Sequence, residues 1–394
     1  MKKLGLLPKL VICIALGIVI GAVSSSAGIQ FPVRLLATYN TIFSQFLNFV
    51  IPLIIVGFIV PGIADLGTGA GKTLAGTTAI AYGSQVIAGS VAFLVATTLF
   101  PMLLGNNAGM LDAVLGADGA QLEGYFTIEI PAIFGVMTAL VLAFSLGLGI
   151  AATKATALKN VFDEFSSIVS KIIEFVIIPL LPFHVMCIFC NLTYAGTVVT
   201  IMSTFAKVFV VVILLHWAII CFQFIVGGAY SKKNPIACIK NMLPAYMTAI
   251  GTQSSAATIP VTLQCAKSNG VSSEIADFVI PLCATIHLSG STITLTCCSL
   301  SLMMLMGWEI SFASYFPFIL MMGVTMVAAP GVPGGAVMAA LGILESMLGF
   351  DETMLSLMIA LYLAQDSFGT ACNVTGDAAI ALLVDGLFGK KQKA

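Results

Sequence analysis

Charge is what this chain has least of. Only 8% of its 394 residues are Asp, Glu, Lys or Arg, against about 25% in a soluble domain. A string of water-soluble domains is therefore excluded. With 59% hydrophobic residues and a mean hydropathy of +1.09, the chain reads as a polytopic membrane protein. Its net charge of −1 makes no case for nucleic acid as a partner. Arginine occurs once, as Arg34, and histidine three times. The ten cysteines lack metal-ligand spacing, and Cys13, Cys187, Cys297 and Cys298 sit in apolar runs. Cys187 and Cys190 form a C-x-x-C pair inside an apolar stretch with no redox context, so they read as packing. Met1-Lys-Lys3 before an apolar run resembles a signal peptide. The run outlasts a short signal core and Ser24-Ser-Ser26 is a weak cleavage site, so an uncleaved first span is expected.

Against this apolar background, long runs predict spans near 5–25, 36–62, 76–101, 130–152, 165–192 and 199–228. Each offers the roughly 20 residues that a helix needs to cross a bilayer. After Tyr230-Ser-Lys-Lys-Asn-Pro235 the texture changes. Helical pieces near 236–250 and 256–268 flank the polar run Gly251-Thr-Gln-Ser-Ser-Ala-Ala-Thr-Ile-Pro260. A span near 274–306 is broken at His287-Leu-Ser-Gly-Ser291. Pieces near 312–328 and 336–349 flank Gly331-Val-Pro-Gly-Gly335, and a final span covers about 353–387. A polar-tipped pair of short helices followed by an interrupted span thus occurs twice. Broken backbone is tolerated at membrane depth only where it faces protein or a polar cavity. Paired interruptions point to a solute site between re-entrant hairpins.

Lysines 2, 3, 72, 154, 159, 232, 233, 240, 390, 391 and 393 fall at one set of span ends. Arg34, with Asp112, Asp118, Glu123 and Glu129, falls at the other. The positive-inside rule then places both termini in the cytoplasm. The first hairpin enters from the cytoplasm and the second from outside.

The order Ser254-Ser-Ala-Ala-Thr-Ile-Pro260, Pro281-Leu-Cys-Ala-Thr-Ile286, Gly331-Val-Pro-Gly-Gly335 and Asn373-Val-Thr-Gly-Asp377 resembles the dicarboxylate/amino acid:cation symporter family. The match is specific over about 235–385 and rests on span count before that. The family implies an all-α fold of about eight transmembrane helices plus two re-entrant hairpins, working as an inverted-repeat elevator. An archaeal member is a standard instance of such repeats, so the repeat here restates the family plan. The resemblance also implies a homotrimer in the bacterial inner membrane. Its scaffold would comprise 1–72 and 103–192, and its moving transport domain 73–102 and 193–394.

Carried over residue by residue, the resemblance places the solute against Gln253, Ser254 and Ser255 of the first tip. Ser291, Val332 and Gly334, with Asp366, Gly369, Thr370 and Asn373 of the last span, would complete that site. Asp366 would hold an α-ammonium. A lone carboxylate at membrane depth costs about 2.5–3.5 kcal/mol or more, which a bound cationic group offsets. A cation would meet Cys283, Thr285, His287, Asn373 and Asp377, since a hard ion takes oxygen ligands. The bland alternatives are a buried structural acid at Asp366, a helix-end aspartate at Asp377, a serine-capped polar turn at the first tip and a simple loop at the second. His184 and His216 read as packed helix residues.

Departures from the family pattern are informative. The broken seventh span of relatives reads Asn-Met-Asp-Gly-Thr; here it is His287-Leu-Ser-Gly-Ser291. His287 replaces an asparagine and keeps a proton in play as the coupling ion beside sodium. Ser289 replaces an aspartate, which implies fewer coupled ions. Members that take acidic solutes carry an arginine three residues after the aspartate matching Asp366; here that position is Gly369. Gln365-Asp-Ser367 is closer to the bacterial serine/threonine branch. The expected activity is sodium-coupled import of a small neutral L-amino acid such as serine, threonine or alanine. The alternative is proton- or sodium-coupled uptake of a dicarboxylate or acidic amino acid. A channel needs a continuous polar path, whereas the polar residues here share one depth. An aspartyl enzyme is excluded because Asp366 and Asp377 lie about 16 Å apart along one helix.

Overall fold

The computed structural model describes residues 6–67, 72–104, 109, 121–196, 198–327, 329, 331 and 333–389. Val332 lies outside them, as do lysines 2, 3, 390, 391 and 393 and Asp112 and Asp118. Among the described residues the secondary structure is helical throughout. We number the helices α1 Leu6–Ala27, α2 Phe31–Gly67, α3 Lys72–Leu104, α4 Val136–Thr153, α5 Thr156–Ile172 and α6 Ile178–Tyr194. There follow α7 Val198–Ser231, α8 Pro235–Thr252, α9 Ser255–Ser268, α10 Ser273–Ile286 and α11 Ser289–Leu305. The last are α12 Phe312–Val327, α13 Gly335–Leu348 and α14 Glu352–Phe388.

Eight stretches among the described residues are long and apolar enough to cross a membrane. They include α5 and α6 as one unit, Thr156–Tyr194, and α10 and α11 as another, Ser273–Leu305. The fifth span starts nine residues before the apolar run does. Its first turns are amphipathic and carry the Lys159–Asp163 pair at 2.8 Å, so hydropathy alone does not count them. A wide turn over Ile173–Ile177 joins α5 to α6. Pro179 follows it; a proline has no N–H to donate and its ring crowds the carbonyl four residues back. The extra residue of a wide turn absorbs that conflict without ending the helix.

The break in the seventh span is narrower than the sequence suggests. Only His287 and Leu288 leave helical geometry, and α11 resumes at Ser289. Ser289, Gly290 and Ser291 therefore form the first turn of a helix instead of an unwound stretch. α11 is buried almost along its whole length despite its many hydroxyls. Thr292, Thr294, Ser299 and Ser301 donate to the carbonyls of Leu288, Gly290, Leu295 and Cys298 in their own helix. Such back-bonding satisfies a hydroxyl without water.

Packing relies on small residues where helices cross, as membrane helices generally do. α1 lies on α6 through Gly17 and Gly21, where a Cβ would collide with the carbonyls of Met186 and Cys190. α2 packs on α4, α5 and α6. α14 is the hub of the other half: α7, α8, α10 and α11 all pack against it. α3 lies on α11 and α12. α13 reaches across to α2 and α4, where a Cβ on Gly342 would stand 2.5 Å from Ile55 Cδ1 and 2.9 Å from Val136 Cγ1. The ten cysteines are free, Cys187 and Cys190 among them, and both of these are buried.

Replacing Gly17 by valine should wedge α1 from α6. Overpacking of this kind costs about 1–3 kcal/mol, so the purified variant should melt several degrees below the parent. An unchanged melting temperature would show that α1 contributes nothing through this crossing.

Candidate functional site

Three helix ends converge on the middle of α14. The first belongs to α8, which stops at Thr252 because Gln253 adopts a left-handed conformation, φ 52°. A side chain larger than Asn or Asp is uncommon there. Gln253 is buried, and its Nε2 donates to Ser367 Oγ at 2.8 Å, anchoring the turn to α14. Ser254 caps α9 by accepting from Ala257 N at 3.2 Å, the usual task of an N-cap serine. Ser255 is buried behind it.

The second end is the start of α13. Gly334 has φ +73°, and a Cβ there would also sit 2.9 Å from Leu363 Cδ2. Glycine leaves its N–H free to approach α14. It donates to Asp366 Oδ2 at 2.7 Å. The two tips also touch each other, because Ser254 Oγ donates to the Gly331 carbonyl at 2.7 Å. Asp366 is 3% exposed, and the first tip anchors on its neighbour Ser367. Thr370 Oγ1 stands 3.4 Å from the other Asp366 oxygen.

The third end is the break between α10 and α11. Helix starts leave N–H groups unpaired. Here Asn373 Oδ1 accepts from Gly290 N at 2.8 Å and Ser291 N at 3.2 Å. Asn373 Nδ2 donates to Ser291 Oγ at 2.9 Å, and Tyr362 Oη donates to the same hydroxyl at 2.8 Å. Gly290 permits this approach: a Cβ would lie 2.5 Å from the Gly369 carbonyl and 2.6 Å from Cys372 Cβ. At Gly369, in contrast, a Cβ would make only ordinary van der Waals contact, with Thr294 Oγ1 nearest at 3.6 Å.

His287 stands at the break itself. Its Nδ1 is 3.0 Å from Asp377 Oδ1, with both side chains at or below 1% exposure. Its Nε2 is 3.1 Å from Ser84 Oγ on α3 and 3.4 Å from Gln223 Nε2 on α7. Gln223 Nε2 also donates to Ser84 Oγ and Ser289 Oγ, at 2.9 and 3.1 Å. The Cys283 carbonyl accepts the His287 N–H at 2.9 Å. Thr285 does not join this group: it is exposed and its hydroxyl turns back to the Leu282 carbonyl at 2.8 Å.

The structure thus gathers Gln253, Ser254, Gly334, Asp366 and Thr370 at one point and Ser291, Asn373, His287 and Asp377 at another, both on α14. Four partners escaped the sequence reading: Ser84, Gln223, His216 and Tyr362. His216 is more than a packed helix residue. Its Nε2 lies 3.0 Å from the Gly290 carbonyl and 3.1 Å from Thr294 Oγ1, so it braces the start of α11. His184 meets Ser356 Oγ at 3.0 Å, away from the site. Gln85 donates to the Ile286 carbonyl at 2.9 Å and ties α3 to the break. The signal that pointed to Asp366, a polar side chain in an apolar span, applies equally to Gln223.

A chain of transmembrane helices with two converging tips over a buried acid suits solute capture, and comparison with known proteins decides the family. A family model described as the sodium:dicarboxylate symporter family matches residues 6–387. The chain belongs to the sodium:dicarboxylate symporter family. It is therefore a member of a family of secondary transporters, not of enzymes. It is 25% identical to a serine/threonine transporter, SstT, of Acinetobacter baumannii over 98% of this chain and 97% of that one. It is 32% identical to excitatory amino acid transporter 5 of Mus musculus over 38% of this chain, but that match spans only 27% of the relative's length. An excitatory amino acid transporter of Caenorhabditis elegans is 26% identical over 62% of this chain and 50% of its own.

Two glycines of this chain separate crowding from mere presence. Gly290→Ala should force α11 from α14 and lower the melting temperature markedly, whereas Gly369→Ala should change it little. Equal effects would mean that the close approach at Gly290 is not what holds the broken span in place.

Proposed function

We propose that the protein is an ion-gradient-driven symporter that imports a small neutral L-amino acid, with serine, threonine and alanine first. The observation that carries this is Asp366, a buried carboxylate bonded to the Gly334 N–H of the second tip, beside Ser367 where the first tip is anchored. A substrate ammonium would compete with that N–H for the carboxylate, so capture would be linked to movement of the second tip. Such a charge-assisted contact is worth about 1.5–3 kcal/mol. A side-chain carboxylate would need a cationic partner, and Arg34 is the sequence's only arginine. Its Nε donates to the Glu123 carbonyl at 3.2 Å, and its guanidinium lies over the Tyr125 ring. A relative matched over 97% of its length bears the name serine/threonine transporter.

In this reading α8–α9 and α12–α13 are re-entrant hairpins. α3 and α7–α14 form the moving unit, and α1, α2 and α4–α6 form a trimerising scaffold in a bacterial inner membrane, with both termini cytoplasmic. The grouping of contacts around α14 supports this division. Glycine-mediated contact of α13 with α2 and α4 would then be a sliding surface. Sodium is the proposed driving ion, after the family's description, with a proton as the second choice.

Uptake into proteoliposomes, with sodium and pH gradients imposed separately, tests the solute and the driving force. Serine, threonine and alanine should compete for uptake and accumulate uphill; uptake of aspartate or succinate without serine would reject the proposal. Asp366→Asn should weaken serine affinity at least about 10-fold, the equivalent of a lost charge-assisted bond. Gly369→Arg, where a Cβ meets no clash, should move preference toward acidic solutes. Crosslinking in native membranes should yield a three-chain species, and full activity from a monomer would remove the trimer.

A further inference from the structure

We propose that the His287 imidazole occupies the cation position at Asp377, so that this position takes no sodium ion and adds none to the transport stoichiometry. The consequence for stoichiometry rests on the symporter reading above; the geometry does not. It replaces the expectation that Asp377, Asn373, Cys283 and Thr285 coordinate sodium.

His287 Nδ1 and Asp377 Oδ1 are 3.0 Å apart. That is a hydrogen-bonding separation, so the imidazole already engages this carboxylate oxygen. A carboxylate only accepts, so Nδ1 carries the hydrogen between them. Next comes the donor set. A cation needs lone pairs, and hydrogens already occupy both on Asn373 Oδ1 and one of the two on the Cys283 carbonyl. Asn373 Oδ1 accepts two backbone N–H groups, and the Cys283 carbonyl accepts the N–H of His287. The Thr285 side chain is exposed and bonded within its own helix.

The ring is also seated on its far side. Ser84 of α3 and Gln223 of α7 stand at Nε2, and Gln223 is held in turn by Ser84 and Ser289. Gly376, the residue before Asp377, supplies the room. A Cβ there would lie 2.9 Å from His287 Cε1 and 2.6 Å from Gln223 Oε1. Four helices therefore build a seat for an imidazole. A cation that couples transport must bind in one state and leave in another, because coupling is a difference of affinity between states. A donor attached to the chain never leaves. It satisfies the buried carboxylate throughout the cycle and transmits no gradient.

The test is thermal unfolding of the purified full-length protein in sodium chloride and in choline chloride of equal ionic strength. A ligand that binds only the folded state raises its melting temperature. The parent and Asp377→Asn should show the same difference between the two salts. His287→Asn exchanges the N–H for an amide that can offer oxygen. It should gain a sodium-specific rise, and that rise should vanish when Asp377→Asn is added. A sodium-specific rise in the parent that Asp377→Asn abolishes would overturn the proposal. So would a folded His287→Asn protein with no gain over the parent. If that variant does not fold, His287→Gly, which empties the seat, serves in its place. The readout needs no solute, so it stands apart from the uptake experiments on substrate class.

Discussion

A helix broken inside a membrane leaves N–H and C=O groups that no water can satisfy, and this constraint organises the centre of the molecule. Each such group costs several kcal/mol if left alone in hydrocarbon. The chain meets the demand with side chains from α14. Asn373 closes the start of α11, and His216 meets the Gly290 carbonyl from α7. Gln85 takes the Ile286 carbonyl from α3. The geometry of the break is thus set by helices α3, α7 and α14, distant from it in sequence. This is why α14 must be both long and polar in the middle, and why glycines sit where it touches its neighbours.

The same helix joins two different tasks. Asp366 faces the tips, and Asp377 faces the break, eleven residues further along. Asp366 receives a backbone N–H from the second tip. Asp377 receives a side-chain donor from a residue fixed by two other helices. In the proposed function, the first carboxylate exchanges partners during transport and the second keeps one. Two buried acids on one helix are thereby separated by what donates to them.

Much of the fold was legible because a bilayer imposes length on apolar runs. The spans, the two helix pairs and the approximate site of the interruption all follow from hydropathy and from glycine, proline and serine placement. The fifth span began earlier than expected because Lys159 and Asp163 belong to an amphipathic helix that apolarity does not register. The break was narrower than Ser289-Gly-Ser291 suggested, because Asn373 lets those residues stay helical. Within the candidate site, Asp366, Asn373 and Asp377 were legible as costly polar groups. The partners of His287 were not. Ser84 and Gln223 lie 203 and 64 residues away in sequence, and no local pattern connects them. Thr285 was misplaced for a related reason: helical phase, which a motif does not state, turns it outward.

The wide turn at Ile173–Ile177 carries an implication about tolerance to length change. It holds one residue more than an ordinary helical turn, and each residue adds about 100° of rotation. The amphipathic part, α5, is therefore phased relative to α6 by that extra residue. It presents Phe165 and Val169 to α2, where a Cβ on Gly57 would lie 3.5 and 3.1 Å from them. Losing a single residue in the turn would straighten the helix locally yet swing those two side chains a quarter-turn or more from α2. Between α5 and α6, then, the number of residues fixes which face α5 turns to α2.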